Sequence, residues 1–269
     1  MLTMRAVTYR YPGYAKQVLV EIDLEIAPGE IVGLVGANEA GKSTLCLVAT
    51  GLAPASIGGT LGGTVEIDGV ATTGRSTHDL AESVGLVFQD PNTQRSGVTA
   101  TVFEEVSLGS VNLGRSVAET VWRTRGALAT LRIEALADRD PARLSGGQAQ
   151  LVAVASILAM GPRLLVLDEP TAQLDPEGTR LVGVALRDLA ATGTAMLIAE
   201  HKTDLLDGLC SRIVGLDSGR VAFDGPAATV LEDPALAATG VEPPARVRLA
   251  RAAAERGLTL PAGALEAAR

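Results

Sequence analysis

The sequence predicts an α/β fold with a parallel sheet at its centre and an antiparallel β subdomain beside it. Two patterns carry this prediction. Runs such as Leu164-Leu-Val-Leu167 and Ala195-Met-Leu-Ile-Ala199 are apolar throughout, which suits parallel strands covered on both faces. In Val20-Glu-Ile-Asp-Leu-Glu-Ile26, by contrast, every second residue is acidic, the mark of an antiparallel strand with one face in water.

The expected strands, in order, are Arg5–Tyr11, Val18–Ile26, Glu30–Val35, Gly63–Ile67, Val84–Phe88, Leu164–Leu167, Ala195–Ala199, Ile213–Leu216 and Arg220–Phe223, with Gly29, Gly69, Gly219 and Gly225 at turns. Between Thr101 and Arg143 the period becomes helical. Val102, Phe103, Val106 and Leu108, then Val117, Val121, Leu128 and Leu131, suit amphipathic helices and define a helical insertion at about 92–143. The main domain is expected over 1–231. A C-terminal helical extension, 232–269, follows; in it Val241-Glu-Pro-Pro244 breaks the chain before an Ala/Arg-rich helix from Arg246 to Arg256. Its arginines suit either docking on the protein or contact with anionic lipid.

The chain has 269 residues, somewhat under two units of roughly 150 residues. Hydrophobic residues make up 47% and charged residues 20%, which excludes a disordered chain. Lys plus Arg number 23 against 31 Asp plus Glu, so the net charge of −8 excludes a whole-chain basic footprint for nucleic acid. The longest apolar run, Leu151 to Met160, falls short of the roughly 20 residues a membrane-spanning helix needs. No long apolar segment opens the sequence, so a secretory leader is not expected. Two cysteines, Cys46 and Cys210, define no disulfide or metal framework and suit a reducing cytosol.

The strongest chemical signal is Gly36-Ala37-Asn38-Glu39-Ala40-Gly41-Lys42-Ser43-Thr44, which matches G-x-x-x-x-G-K-[ST] between an expected strand and an expected helix. Glycines let backbone N–H groups converge on a polyphosphate, and the helix N-terminus adds positive potential. Lys42 can then reach the β- and γ-phosphates, while the Ser43 hydroxyl can ligate Mg²⁺. Further on, the apolar run Leu164–Leu167 ends in Asp168-Glu169. Beside a phosphate loop, Asp168 suits a water-mediated hold on Mg²⁺ and Glu169 suits the group that polarises an attacking water. Leu144-Ser145-Gly146-Gly147-Gln148 can open a helix. It can form a second anion site there, or Ser145 can simply cap the helix.

Together, in this order, Gly36–Thr44, Leu144–Gln148, Asp168-Glu169-Pro170-Thr171 and Leu174-Asp175 resemble the ATPase subunit of an ABC transporter over roughly residues 1–230. Val87-Phe88-Gln89-Asp90-Pro91-Asn92-Thr93-Gln94, Thr101–Gly109 and the opening Tyr9-Arg-Tyr11-Pro-Gly13 resemble the energy-coupling factor (ECF) type, including cobalt-uptake ATPases. The resemblance implies a P-loop NTPase fold with a RecA-like parallel-sheet core, an antiparallel β subdomain and a helical insertion. It also implies ATP and Mg²⁺ as ligands. Tyr11 would stack on adenine, with Tyr9 a competing candidate. Gln89 would contact Mg²⁺ or the water, His201 the γ-phosphate, and Asp175 the opposite subunit. Ser145 to Gln148 of one subunit would cap the γ-phosphate held by Lys42 of the other. The implied partners are a second ABC ATPase subunit, alike or cognate, a transmembrane coupling protein and a substrate-binding membrane protein, with no nucleic acid. The implied place is peripheral, on the cytoplasmic face of the cell membrane.

Two residues depart from the family pattern. Glu39 stands where glycine is usual, and the segment after Gln148 lacks an arginine. Three functions follow. The first is an ATP-hydrolysing subunit of an ECF-type importer of a vitamin or transition-metal ion. The second is an ATP-binding but weakly hydrolysing half of a heterodimer. The third is a soluble non-transport ABC ATPase, whose usual coiled-coil or paired domains are not expected at this length.

Overall fold

The strands of the computed structural model, which describes residues 1–260 and 263–264, are β1 (Leu2–Arg10), β2 (Leu19–Ile26), β3 (Ile31–Gly36), β4 (Thr60–Ile67), β5 (Val70–Ala71), β6 (Val84–Val87), β7 (Leu164–Asp168), β8 (Ala195–Ala199), β9 (Arg212–Asp217) and β10 (Arg220–Pro226). They form two sheets. The smaller is antiparallel, in the order β2-β1-β4-β5. The larger runs β10-β9-β3-β8-β7-β6, parallel except for the antiparallel edge strand β10.

Strand alternation divides the core between two layers. In β7, Leu164 and Val166 pack toward the antiparallel sheet, together with Leu2, Met4, Ile22 and Leu45. Leu165 and Leu167 face the other way, into a layer built with Val106, Val154, Val182 and Leu186. The helices of that second layer include Val102–Asn112, Val117–Thr130, Gly146–Leu158 and Pro176–Ala190. All five residues of β7 and of β8 are buried, as their apolar composition requires.

Several expectations shift by a residue or more. β1 begins at Leu2 rather than Arg5, and β4 at Thr60 rather than Gly63. Phe88 lies beyond the end of β6. Gly225 is not in a turn: it sits inside β10, where the residue pairs with Ile213. β5 went unpredicted because it is two residues long and is defined only by its pairing with Glu66 and Ile67 of β4.

The region of the expected insertion carries the short helix Pro91–Gln94, the two helices 102–112 and 117–130, and 3-10 turns at Glu134–Leu136 and Pro141–Arg143. After β10 come helix Ala227–Glu232, the turn Pro234–Thr239 and helix Ala245–Glu255. The arginines of this last helix turn to the protein. Arg246 pairs with Asp207 and Glu232, Arg248 pairs with Glu242, and Arg251 donates to the Glu232 carbonyl. Residues 261–262 and 265–269 of the expected extension lie outside the described residues. No described helix is long and apolar enough to cross a membrane.

Candidate active site

Chemistry-bearing residues gather at the carboxyl ends of the parallel strands, where open α/β sheets bind their ligands. The loop Gly36–Gly41 follows β3, Gln89 follows β6, Asp168 ends β7 with Glu169 next, and His201 lies just beyond β8. β3 and β7 both flank β8, so their loops converge over its end.

Helix Lys42–Ala49 opens at Gly41, whose φ is 106°, with no side chain capping its first N–H groups and no acidic residue in its first turn. Those donors are left for an anion. Gly36 is required by close approach, because a Cβ there would lie 2.5 Å from the Leu216 carbonyl oxygen. Lys42 is 5% exposed; its ammonium donates to the Gly36 and Ala37 carbonyls at 3.0 and 3.1 Å and lies 3.7 Å from Glu169 Oε1. Ser43 Oγ donates to Asp168 Oδ1 at 3.1 Å. Gln89 Nε2 donates to Glu169 Oε2 at 3.0 Å, and His201 Nε2 lies 2.9 Å from Glu169 Oε1. Lys42, Gln89 and His201 thus meet at Glu169, with the Ser43–Asp168 pair beside them.

Electrostatics follow from this crowding. Burial lowers the Lys42 pKa, opposed by the Glu169 and Asp168 carboxylates. Burial raises the Asp168 carboxyl, opposed by the Ser43 hydrogen bond. Burial, then the neighbouring Lys42 charge, lowers His201, so its imidazole is neutral at pH 7. A carboxylate only accepts, so the Glu169 contact selects the tautomer with the proton on Nε2. That tautomer cannot also accept from Lys42 Nζ, 3.2 Å away. The backbone of Glu169 is itself in the left-handed region, with φ 48°. This sparsely populated conformation is held where the β7 loop meets the β8 loop.

The cleft over these groups measures about 870 Å³ and is lined by Tyr11, Ala37–Thr44, Gln89, Glu169 and His201, with Tyr14 and Lys16 at its mouth. The two tyrosine candidates separate clearly. Tyr9 is fully buried and donates to the Gly58 carbonyl at 2.6 Å, whereas Tyr11 lines the cleft with its hydroxyl 3.1 Å from Thr44 Oγ1. Sequence reading missed Tyr14, whose ring lies 6.1 Å from that of Tyr11. It also gave no role to Glu200, buried directly before His201; a carboxylate ending an apolar strand was the available signal.

Ser145, Gly146, Gly147, Gln148 and Asp175 are not among the described residues lining this cleft. Ser145 and Gln148 form a reciprocal cap at the start of helix Gly146–Leu158, with Ser145 Oγ accepting from Gln148 N and Gln148 Oε1 accepting from Ser145 N. The Ser145 hydroxyl proton remains free to donate. Gly147 is the contact with helix Pro176–Ala190, because a Cβ there would lie 2.7 Å from Gly178 Cα. Asp175 caps that helix, accepting from Gly178 N at 2.7 Å. Glu39 is held at φ 65°, which explains why glycine suits this position.

Comparison with known proteins places this geometry. The ABC transporter family model matches residues 19–172. A cobalt import ATP-binding protein, CbiO, of Rhodobacter capsulatus is 42% identical over 255 residues, covering 93% of this chain and 88% of that one. A putative ABC transporter ATP-binding protein of Pyrococcus horikoshii is 43% identical over 178 residues, 66% of this chain and 62% of that protein. The energy-coupling factor transporter ATP-binding protein EcfA1 of Lacticaseibacillus paracasei is 39% identical over 68% of this chain and 63% of its own length. The match thus spans under two thirds of the last two relatives. Among solved structures, CbiO1 of Clostridium perfringens, part of the CbiONQ complex, superposes with a TM-score of 0.78 at 30% identity, over 96% of this chain and 98% of that one. A dimeric ATP-binding cassette in a post-hydrolysis state, bound to ADP and Pi, gives 0.72 at 27% identity, over 84% and 99%. The chain belongs to the ABC transporter ATP-binding family, alongside the cobalt-import and energy-coupling factor ATP-binding proteins.

Proposed function

We propose that this chain is the ATP-hydrolysing subunit of an ECF-type importer, working at the cytoplasmic face of the membrane. The observation that carries the reading is the connected set Lys42, Glu169, His201 and Gln89, beside the Ser43–Asp168 pair. Tyr11 stacks on the base. The N–H groups of Gly36–Thr44 and the Lys42 ammonium hold the β- and γ-phosphates. Glu169 takes up the proton of a water whose oxygen bonds to the γ-phosphorus as the bridging bond to the β-phosphate oxygen breaks. Neutral His201 lies beside the γ-phosphate and fixes the Glu169 carboxylate through its Nε2–H. Hydroxyl, carboxylate and amide oxygens are the donors that suit Mg²⁺, so Ser43, Asp168 and Gln89 are the residues that would hold it. When bound with the triphosphate, the ion neutralises charge on the phosphoryl oxygens.

The Ser145–Gln148 turn and Asp175 lie outside the cleft of their own chain, which supports their supply by a second subunit. Two subunits, head to tail, then enclose two nucleotides, and hydrolysis removes the contacts that hold them closed. The helical insertion passes this movement to a transmembrane coupling protein joined to a substrate-binding membrane protein. The cargo is a transition-metal ion or a vitamin, and the name of the Rhodobacter capsulatus relative, a cobalt import protein, supports the metal ion. A weakly hydrolysing half of a heterodimer is the second reading, favoured by the left-handed Glu39 in the phosphate loop.

Purification of the tagged chain from detergent-solubilised membranes, with identification of what accompanies it, tests the proposal. Integral membrane proteins together with an ATPase subunit are expected. A chain that purifies alone, or with ribosomal proteins, would contradict it.

A further inference from the structure

One buried carboxylate ties together the loops that carry Glu169 and His201. Glu200 follows β8 and is 1% exposed. Its Oε1 accepts from the Thr171 backbone N–H at 3.0 Å and from the Thr171 hydroxyl at 2.6 Å. Its Oε2 accepts from the backbone N–H groups of His201 and Lys202, at 3.2 and 3.5 Å. Thr171 is fully buried, two residues beyond Glu169 in the loop after β7. Two other bonds join the same loops: Glu169 N donates to the Ala199 carbonyl at 2.8 Å, and Lys202 Nζ to the Thr171 carbonyl at 3.4 Å.

A buried carboxylate is an expensive way to join two loops, since an apolar side chain could fill the same volume without losing hydration. What it supplies is geometry. Each oxygen serves a different loop, and only an acceptor at both ends satisfies donors on both sides. The loops so joined carry the two groups that meet at 2.9 Å, Glu169 Oε1 and His201 Nε2.

We propose that Glu200 is a positioning residue for ATP hydrolysis: through Thr171 on one side and the His201 backbone on the other, it sets the approach of the Glu169 carboxylate to the His201 imidazole. The proposal rests on the ATPase reading above. Glu200 is buried and is not among the described residues lining the cleft, so its effect falls on turnover rather than on nucleotide binding.

The test uses the complex purified as above. Glu200→Gln keeps size and shape, yet its amide NH₂ must face donors on one loop or the other. Thr171→Val removes one hydroxyl and little volume. Steady-state kcat and KM for Mg-ATP, the Kd for a fluorescent ATP analogue and Tm are measured for each variant, for the double variant and for Glu169→Gln. In folded Glu200→Gln, kcat is expected to fall on the order of 10- to 100-fold, with analogue affinity unchanged. The double variant is expected to lose no more than the more severe single one, because both cut the same link. Wild-type kcat in folded Glu200→Gln would overturn the proposal. So would a loss confined to KM, or losses that multiply in the double variant. If Glu200→Gln does not fold, Thr171→Val decides alone: lowered kcat at preserved Tm supports the proposal, and wild-type kcat overturns it. Wild-type protein without Glu169-dependent hydrolysis overturns the ATPase reading, and this proposal with it. Wild-type hydrolysis with unaltered Glu200→Gln and Thr171→Val overturns the proposal alone.

Discussion

His201 Nε2 and Glu169 Oε1 lie 2.9 Å apart at the ends of neighbouring parallel strands, within reach of the same buried ammonium. The pair joins a proton acceptor to a neutral donor across β7 and β8, and the phosphate loop closes the third side. Glu169→Gln keeps the hydrogen bond to one neighbour but cannot take a proton at neutral pH. Steady-state hydrolysis is expected to fall by about 10²- to 10⁴-fold, with ATP affinity retained. Comparable turnover in that variant would remove Glu169 from the role assigned to it.

The acid side of the stability profile reports on the imidazole. Burial and the Lys42 charge lower the His201 pKa from its ordinary 6.5. Below that value the unfolded chain binds a proton that the folded chain resists, so stability drops as pH falls from about 6.5 to the lower folded pKa and is unaffected above. His201→Gln lacks this proton. Urea unfolding at pH ~7.5 and ~5.5 is expected to show a smaller acid-side loss in the variant. Equal losses would mean that His201 is not held neutral.

Glu39 sits at φ 65° at the mouth of the cleft. Left-handed backbone costs a side-chain-bearing residue about 1–2 kcal/mol, partly offset by the greater freedom glycine has when unfolded. Glu39→Gly is therefore expected to hold or raise Tm. It should also tighten ATP binding a few-fold, an effect that shrinks as salt screens the lost carboxylate. Weaker ATP binding in this variant would show that Glu39 contributes a contact rather than a repulsion.

Gly147 explains why the Ser145 turn needs its second glycine. A methyl group there meets Gly178 Cα at 2.7 Å, backbone against backbone, so no side chain can yield. Gly147→Ala is expected to cost about 1–3 kcal/mol, read by denaturant unfolding. Gly146 offers the contrast, because its added Cβ would meet only Leu174 Cδ2 at 3.4 Å. Gly146→Ala should leave stability nearly unchanged, and equal costs at the two positions would refute this packing account.

Much of this was legible in the residues, for identifiable reasons. Strands buried on both faces must be apolar, so β7 and β8 announced themselves to within a residue. The phosphate loop, Asp168, Glu169, Gln89 and His201 each sit at such a strand's end, and parallel topology does the rest. What stayed hidden depends on partners distant in the chain. β5 exists only through β4, and Gly225 becomes a strand residue only through β9. Tyr9 and Tyr11 are alike in sequence until one is seen to reach the Gly58 carbonyl and the other Thr44. Glu200 looked like one more charge beside a histidine until burial and Thr171 gave it a place. Glu105 is similar: a helix carboxylate by pattern, it is buried and accepts from Ser96 and Thr99, fixing the segment that follows Gln94.

The central claim is that each cleft is completed by another subunit's Ser145–Gln148 turn. Sedimentation of Glu169→Gln, alone and mixed with its co-purified ATPase partner if that is a different chain, tests it directly. With Mg-ATP the account predicts a two-subunit species holding two nucleotides, which Ser145→Arg abolishes while ATP still binds. Subunits that bind ATP yet remain single at every concentration, alone and mixed, would contradict it.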